Sequence, residues 1–322
     1  MSPARLSPDD AIAVIDPSSY AQWDGLLDRF DRIRSKTPVA LAEAPAGEHP
    51  PFWLVSRYDD VMRVSKDNAN FLNNPRTVVF SLTQGIEFAK AFSGGSEHMV
   101  ASLVTFDAPI HMKYRRLTQD WFMPKNLRGL EAEVRAIAER AVDRMIAAGP
   151  ELDFCKTVSH PYPLHVVMQI LGVPETDEGR MLMLTQQMFG GQDEELNQSG
   201  LKDLPPEMIT QIVAGAVKDF EAYFAALTAE KRARPAGDVA STIANATVDG
   251  APLNDRDMMG YYIIIAAAGH DTTSASTAGA MLALACDPEQ WARVRGDRSL
   301  LPGIVEEAIR WTSPVQHFMR TA

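Results

Sequence analysis

The stretch AGHDTTS, residues 268–274, sets an acid beside an alcohol inside an apolar run. YYIIIAAAG precedes it and TAGAMLALA follows, so the surroundings read as one long buried helix from Asn254 to Cys286. A carboxylate in such a setting is costly unless it is paired. Asp271 and Thr272 are the minimum set for passing protons into a dry pocket. Gly269 weakens the helix by up to ~1 kcal/mol relative to alanine, and a threonine hydroxyl competes for the carbonyl one turn back. Together they predict an opened hydrogen-bond ladder and a distorted turn of the kind found at functional sites. The bland alternative is a kink in which Asp271 pairs with a buried base.

Two further pairs carry charge at helical spacing. In EEAIR, Glu307 and Arg310 share a face and can form a charge-assisted fork, with Glu306 as a competitor. Taken alone, such a pair is most often a surface ion pair. In HMKYR, His111 and Arg115 lie one turn apart and suit an anionic ligand group. Cys155 and Cys286 are far apart in sequence with no CxxC, so neither a zinc site nor a redox pair is signalled. The seven histidines form no recognised metal-ligand spacing.

Helices must position these residues. YAQWDGLLDRFDRIRSK is amphipathic through Trp23, Leu26, Leu27, Phe30 and Ile33, PPFWLVSRY is β-like, and DDVMRVSKD reads as a short helix. Residues 72–100 read as a long loop. DAPIHMKYRRLTQDWFMP opens on an acid cap with Pro109 in the first turn. Helices follow up to Gly149, up to Gly172, and as a pair around QDEELNQSG. Asn254 is the expected cap of the long helix, with Asp257 as its capping-box partner. PEQWARVRG and LPGIVEEAIRWTSP close the helical set, and VQHFMRTA reads as a strand. No repeat or low-complexity linker interrupts the chain, so one mostly α domain with a small β part is expected over 1–322.

The 322 residues are 46% hydrophobic and 23% charged, the balance of a soluble globular protein, and no apolar run reaches membrane-spanning length. The N-terminus lacks the basic and then apolar pattern of a signal peptide, so a cytoplasmic location is expected. A net charge of −11 argues against nucleic acid as a partner. Against that sign, Lys113, Arg115, Arg116, Lys125 and Arg128 face a single acid, Asp120, between His111 and Arg128. This is either a solvated face or a dock for an acidic partner.

In this order, HxxxR, AGxDTT, and ExxR followed by RWTSPV and an arginine, the motifs resemble those of the bacterial cytochrome P450 monooxygenases. The resemblance covers essentially the whole chain, including DAPIH, YPLHVVM, LGVPE and the DPEQ turn, and is nearest the terpineol-hydroxylating branch. It implies the P450 fold without its C-terminal portion. It also implies b-type haem, with the propionates on His111, Arg115 and Arg320. Asp271 and Thr272 would deliver protons to dioxygen, and Gly269 would leave space for it. Glu307 and Arg310 would be a buried pair beneath the haem. Val104, Ile264, Ala267 and Ala268 would line the pocket of a terpene-like or aromatic substrate. An acidic ferredoxin would dock near Lys113, Arg116, Lys125 and Arg128, with no nucleic acid or membrane involved.

The resemblance also places the iron-ligating cysteine in a glycine-rich loop beyond Ala322. Neither Cys155 nor Cys286 has such surroundings, so residues 1–322 are expected to hold no thiolate-ligated haem. Three readings remain open: a piece of an active monooxygenase, an inactive remnant, or a helical carrier of hydrophobic ligands with Asp271 as its polar anchor.

Overall fold

The computed structural model describes residues 3–43, 50–78, 89–90, 93, 95–98, 100–189 and 204–322. Much of the expected 72–100 loop and all of QDEELNQSG lie outside the described residues. Among the described residues, helices dominate, with two two-stranded antiparallel sheets, as the expected mostly α class requires. The chain divides into two compact units, 1–111 with 192–211 and 317–322, and 112–191 with 212–316.

In the first unit, Ser7 caps α1 (Pro8–Ala13) by accepting from the Asp10 amide at 3.2 Å. Asp10 pairs with Arg29 and Arg32 of α2 (Trp23–Lys36) at 2.5 and 2.6 Å. The amphipathic stripe of α2 buries Leu26 and Ile33, while Leu27 stays exposed. β1 (Val39–Ala42), absent from the sequence reading, pairs with the expected β2 (Phe52–Val55) in the register Val39↔Val55. It was hidden because its inward residues are only Ala40 and Ala42, too weak an alternation to signal a strand. α3 (Tyr58–Lys66) follows.

The strand expected at VQHFMRTA is replaced by an irregular segment making a single bridge, Leu72↔Thr321. Both bridge hydrogen bonds are short, 2.7 and 2.8 Å, and the Met319 amide donates to the Thr77 carbonyl at 2.7 Å. One bridge to an irregular partner cannot propagate a ladder.

The second unit contains α4 (Ile110–Gln119) from Met112 onward, α5 (Glu131–Ala148), α6 (Pro161–Leu171) and α7 (Glu178–Phe189). It continues with α8 (Pro206–Ala233) from Ile212 onward and α9 (Val239–Ala244). A hairpin of β3 (Thr247–Val248) and β4 (Ala251–Pro252) turns through Asp249 and Gly250, both at positive φ. That is the Asp-Gly turn preferred by tight hairpins, overlooked in the sequence reading. The long helix α10 (Asp255–Cys286), then α11 (Pro288–Gly296) and α12 (Leu301–Thr312), complete the unit.

α10 is the spine of this unit and packs on both α6 and α12. A β-carbon on Gly269 would sit 2.7 Å from Val167 Cγ2 of α6, and one on Gly279 would sit 2.1 Å from Thr312 Cγ2 of α12. Both crossings therefore depend on the missing side chain. Phe220 and Phe224 of α8 stack at 5.8 Å, and Phe224 stacks on Tyr262 of α10 at 4.7 Å. Such offset pairs add ~0.5–1.5 kcal/mol beyond burial. Lys231 and Asp238, each nearly buried, close a 2.6 Å ion pair between α8 and the α9 cap.

Candidate active site

Asn254 caps α10 as expected: its Oδ1 accepts from the Asp257 amide at 2.8 Å, and its Nδ2 donates to the Asp257 carboxylate at 2.7 Å. The same carboxylate accepts from the Tyr114 hydroxyl of α4. Burial, aided by this bond, pushes the Tyr114 phenol up to about 12, so it stays a donor. Tyr261 donates to the Tyr114 carbonyl at 2.7 Å, and its hydroxyl lies 3.0 Å from Thr118 Oγ1. These contacts clamp the basic helix α4 to the first turns of α10.

The rest of α10 has two faces at four-residue spacing. Tyr262, Ala266, His270 and Ser274 form a buried stripe. Ile264, Ala268 and Thr272 form a more open one, with Ala267 and Asp271 half-buried at its edge. The candidate pocket residues Ile264, Ala267 and Ala268 thus share the Asp271–Thr272 side of one helix. Val104 belongs to the first unit and is 39% exposed.

α10 runs unbroken through AGHDTTS, in place of the expected opened turn. Thr272 Oγ1 donates to the Ala268 carbonyl at 2.7 Å, Ser276 to Thr272 at 2.9 Å and Thr277 to Thr273 at 2.7 Å. Each hydroxyl shares the carbonyl with the helical amide rather than displacing it. Beside Gly269, the place that a β-carbon would take is occupied by Val167 of α6.

Asp271 keeps its side chain 46% exposed, while the neighbouring His270 is 1% exposed. Sequence reading assigned His270 no role. The signal was available, since Tyr262, Ala266, His270 and Ser274 continue one helical row. The alternative of a buried base beside Asp271 is partly met: Asp271 Oδ1 lies 2.9 Å from His270 Nδ1.

The expected cofactor cations fall in two groups. In the first unit, the Asp107 carboxylate accepts from the Asn73 and Asn74 amides at 2.7 and 3.0 Å, rather than capping α4 with its side chain. Segment 72–74 is thereby tied to the turn before His111 on one side and to Thr321, next to Arg320, on the other. Arg320 Nη1 donates to the Met319 carbonyl at 2.7 Å. In the second unit, Arg115 is exposed. Among the described residues, no carboxylate forms an ion pair with His111, Arg115 or Arg320, although the protein is acidic.

The donor chemistry of each of these side chains, an imidazole and two guanidiniums, suits a carboxylate arm. The thiolate ligand finds no counterpart here. Cys286 lies ~21 Å along α10 from Thr272 at 1.5 Å per residue, and Cys155 is exposed at a π-helical turn, Cys155–Ser159. Among the described residues, no His, Cys, Asp and Glu cluster is able to hold a metal ion.

Glu307 and Arg310 form the expected fork, with both bonds at 2.6 Å. The side chains are 59% and 65% exposed, and among the described residues none of α12 is buried. In the basic stretch, Lys113 is engaged by Asp249 at 2.6 Å, while Arg116, Lys125 and Arg128 are exposed beside exposed Phe122, Met123 and Leu127.

An acid and an alcohol thus lie on the more open side of a long core helix, in a chain that is mostly helical. The chain is 38% identical to cytochrome P450-terp of a Pseudomonas species over 321 residues, covering 99% of this chain and 74% of that protein. It is 31% identical to a methyl-branched lipid omega-hydroxylase of Mycobacterium tuberculosis, covering 98% and 71%. The crystal structure of CYP108D1 from Novosphingobium aromaticivorans superposes with a TM-score of 0.89 at 62% identity, covering 99% of this chain and 74% of that one. No family model matches the chain. The chain belongs to the cytochrome P450 family. It is accordingly a member of a family of monooxygenases with haem as cofactor, using dioxygen and a hydrophobic substrate.

Proposed function

We propose that Asp271 and Thr272 handle the protons of the monooxygenase reaction, and that the open stripe of α10 faces haem and substrate. The supporting observation is the two-faced helix: the acid and alcohol lie on its more open stripe. When bound, haem supplies the iron at which dioxygen is activated. Asp271, half in solvent, exchanges its proton with water and presents it to the neighbouring hydroxyl. Thr272 keeps its own hydrogen on the Ala268 carbonyl and offers its oxygen lone pairs outward.

His111, Arg115 and Arg320 are assigned to the propionates. The guanidinium charges of Arg115 and Arg320, left without carboxylates among the described residues, together with the His111 ring as a donor, are what two carboxylate arms require. Val104, Ile264, Ala267 and Ala268 are assigned to a terpene-like or aromatic substrate, because they offer apolar contact and no hydrogen-bonding group. An acidic ferredoxin is assigned to the face of Arg116, Lys125 and Arg128, where exposed cations surround exposed Phe122 and Met123. Lys113, already engaged by Asp249, contributes less. A cytoplasmic location is assigned together with this partner; among the described residues, no helix is long and apolar enough to cross a membrane.

The test fuses the chain to the part of CYP108D1 that lies beyond the matched region. In that protein, Asp271→Asn and Thr272→Ala are expected to lower the fraction of consumed electrons that reach product at least several-fold, with haem content unchanged. Unaltered coupling in both variants refutes the proton role.

A further inference from the structure

Asp107 opens the DAPIH motif, and the function proposed above leaves it without a role. Its main-chain carbonyl accepts from the His111 amide at 2.9 Å, in the first turn of α4. Its carboxylate turns away from that helix to segment 72–77, accepting from the Asn73 and Asn74 amides at 2.7 and 3.0 Å. Asn73 answers with its side chain, Nδ2 donating to the Phe106 carbonyl at 3.0 Å. Apart from the bridge at Leu72, this segment is irregular, so its amides must find acceptors outside a ladder. A carboxylate supplies two oxygens at once, and bonds to an ionised acceptor are roughly twice as strong as neutral ones.

The same segment brackets Arg320. Leu72 and Thr321 exchange both bridge hydrogen bonds, and the Met319 amide donates to the Thr77 carbonyl. The residues on either side of Arg320 are thus bonded to 72–77, which fixes where its side chain leaves the chain. The guanidinium is held close to that point, with Nη1 on the Met319 carbonyl at 2.7 Å and Cζ 5.7 Å from the Phe318 ring centre. We propose that Asp107 is the positioning residue of Arg320. Its side chain fixes the segment on which Arg320 is mounted, while its main chain starts the turn that carries His111. One residue of the first unit thereby relates two of the donors assigned to the cofactor's carboxylate arms. The use of that placement rests on the function proposed above; the placement itself does not.

A second tie acts on the same segment. Arg76 pairs with Glu97 at 2.8 Å, and Lys90 lies 3.4 Å from that carboxylate. Arg76 adjoins Thr77, whereas Asn73 adjoins Leu72, so the two ties hold opposite ends of 72–77. The Leu72–Thr321 bridge therefore depends chiefly on Asp107, and the Met319–Thr77 bond chiefly on Glu97.

Amide hydrogen exchange in the 322-residue chain reads the placement. Asp107→Ala is expected to speed exchange at Leu72 and Thr321 by about tenfold or more, with the amides of α2 unchanged. Asp107→Asn, which keeps one acceptor oxygen, is expected to fall between. Unchanged exchange at Leu72 and Thr321, or an equal rise in α2, overturns the proposal. Should the alanine variant fail to fold, the same two amides in the asparagine variant decide. In the fused protein of the preceding test, the rate at which haem passes to apomyoglobin reads the consequence. Arg320→Leu is expected to speed this loss several-fold. Asp107→Ala is expected to speed it where Arg320 is present and to add nothing to Arg320→Leu. An equal effect in both backgrounds overturns the proposal, since Asp107 would then act without Arg320. Faster exchange at Leu72 and Thr321, combined with unaltered haem loss in Arg320→Leu, would leave the placement standing and remove Arg320 from the cofactor assignment. Should the fusion hold no haem, the exchange rates still decide.

Discussion

Glu178 on α7 shows how a residue's surroundings, invisible in sequence, set its chemistry. Its carboxylate is bonded to His165 of α6, and both side chains are mostly buried. Burial pushes the carboxyl above its ordinary 4.5, and the His165 bond pulls back against that rise. The folded carboxyl thus releases its proton at higher pH than the unfolded one. Its contribution to stability is fully present below pH 4.5 and is lost as pH climbs through the raised folded value. Glu178→Gln does not titrate, so its stability relative to the unaltered chain is expected to improve steadily from pH 4.5 towards neutrality. Urea midpoints of both proteins across that range check this, and a constant difference refutes it. Residue types and spacing marked Asp271, Thr272, His111, Arg115 and the Glu307–Arg310 fork. Partners drawn from distant segments, such as His160 beneath His270 or Asp107 beneath Asn73, leave no local trace.

Helix α10 was legible almost to the residue because a long apolar run between an Asn cap and a polar DPEQ turn has few other readings. The continuity of its middle was not legible. Gly269 beside two threonines reads as a weak point when only the helix's own hydrogen bonds are considered. In the fold, the glycine serves α6, whose Val167 occupies the place of a side chain. Gly269→Ala therefore sets a gain of up to ~1 kcal/mol in helix propensity against a clash. Overpacking of this kind costs ~1–3 kcal/mol, so the variant is expected to be less stable by roughly 1–2 kcal/mol. Val167→Ala in the same protein is expected to recover part of that loss, making the double variant more stable than additivity predicts. Denaturant unfolding of the four proteins measures the coupling. Strict additivity would mean that Gly269 is not a packing glycine.

At the scale of the whole molecule, hydrophobic surface is unevenly covered. Val305, Ile309 and Trp311 of α12 are 58%, 49% and 54% exposed, and Leu282 near the end of α10 is 66% exposed. Trp291 of α11 and Val315 are exposed as well. No residue of α11 or α12 is buried, although the sequence gives α12 the apolar content of a packed element. Binary patterning records that a helix has an apolar face; it does not record whether anything lies against it. The relatives are longer, this chain matching 74% of cytochrome P450-terp and of CYP108D1. Apolar patches beyond a few hundred Å² drive association in water. The 322-residue chain is therefore expected to bind a hydrophobic dye strongly and to self-associate at micromolar concentration. Replacing Val305, Ile309 and Trp311 together by glutamate is expected to suppress both, leaving helical content by circular dichroism unchanged because none of the three is buried. A triple variant that still binds dye and sediments as large species would place the sticky surface elsewhere. A triple variant that loses its helices would mean that this face is packed within the chain itself.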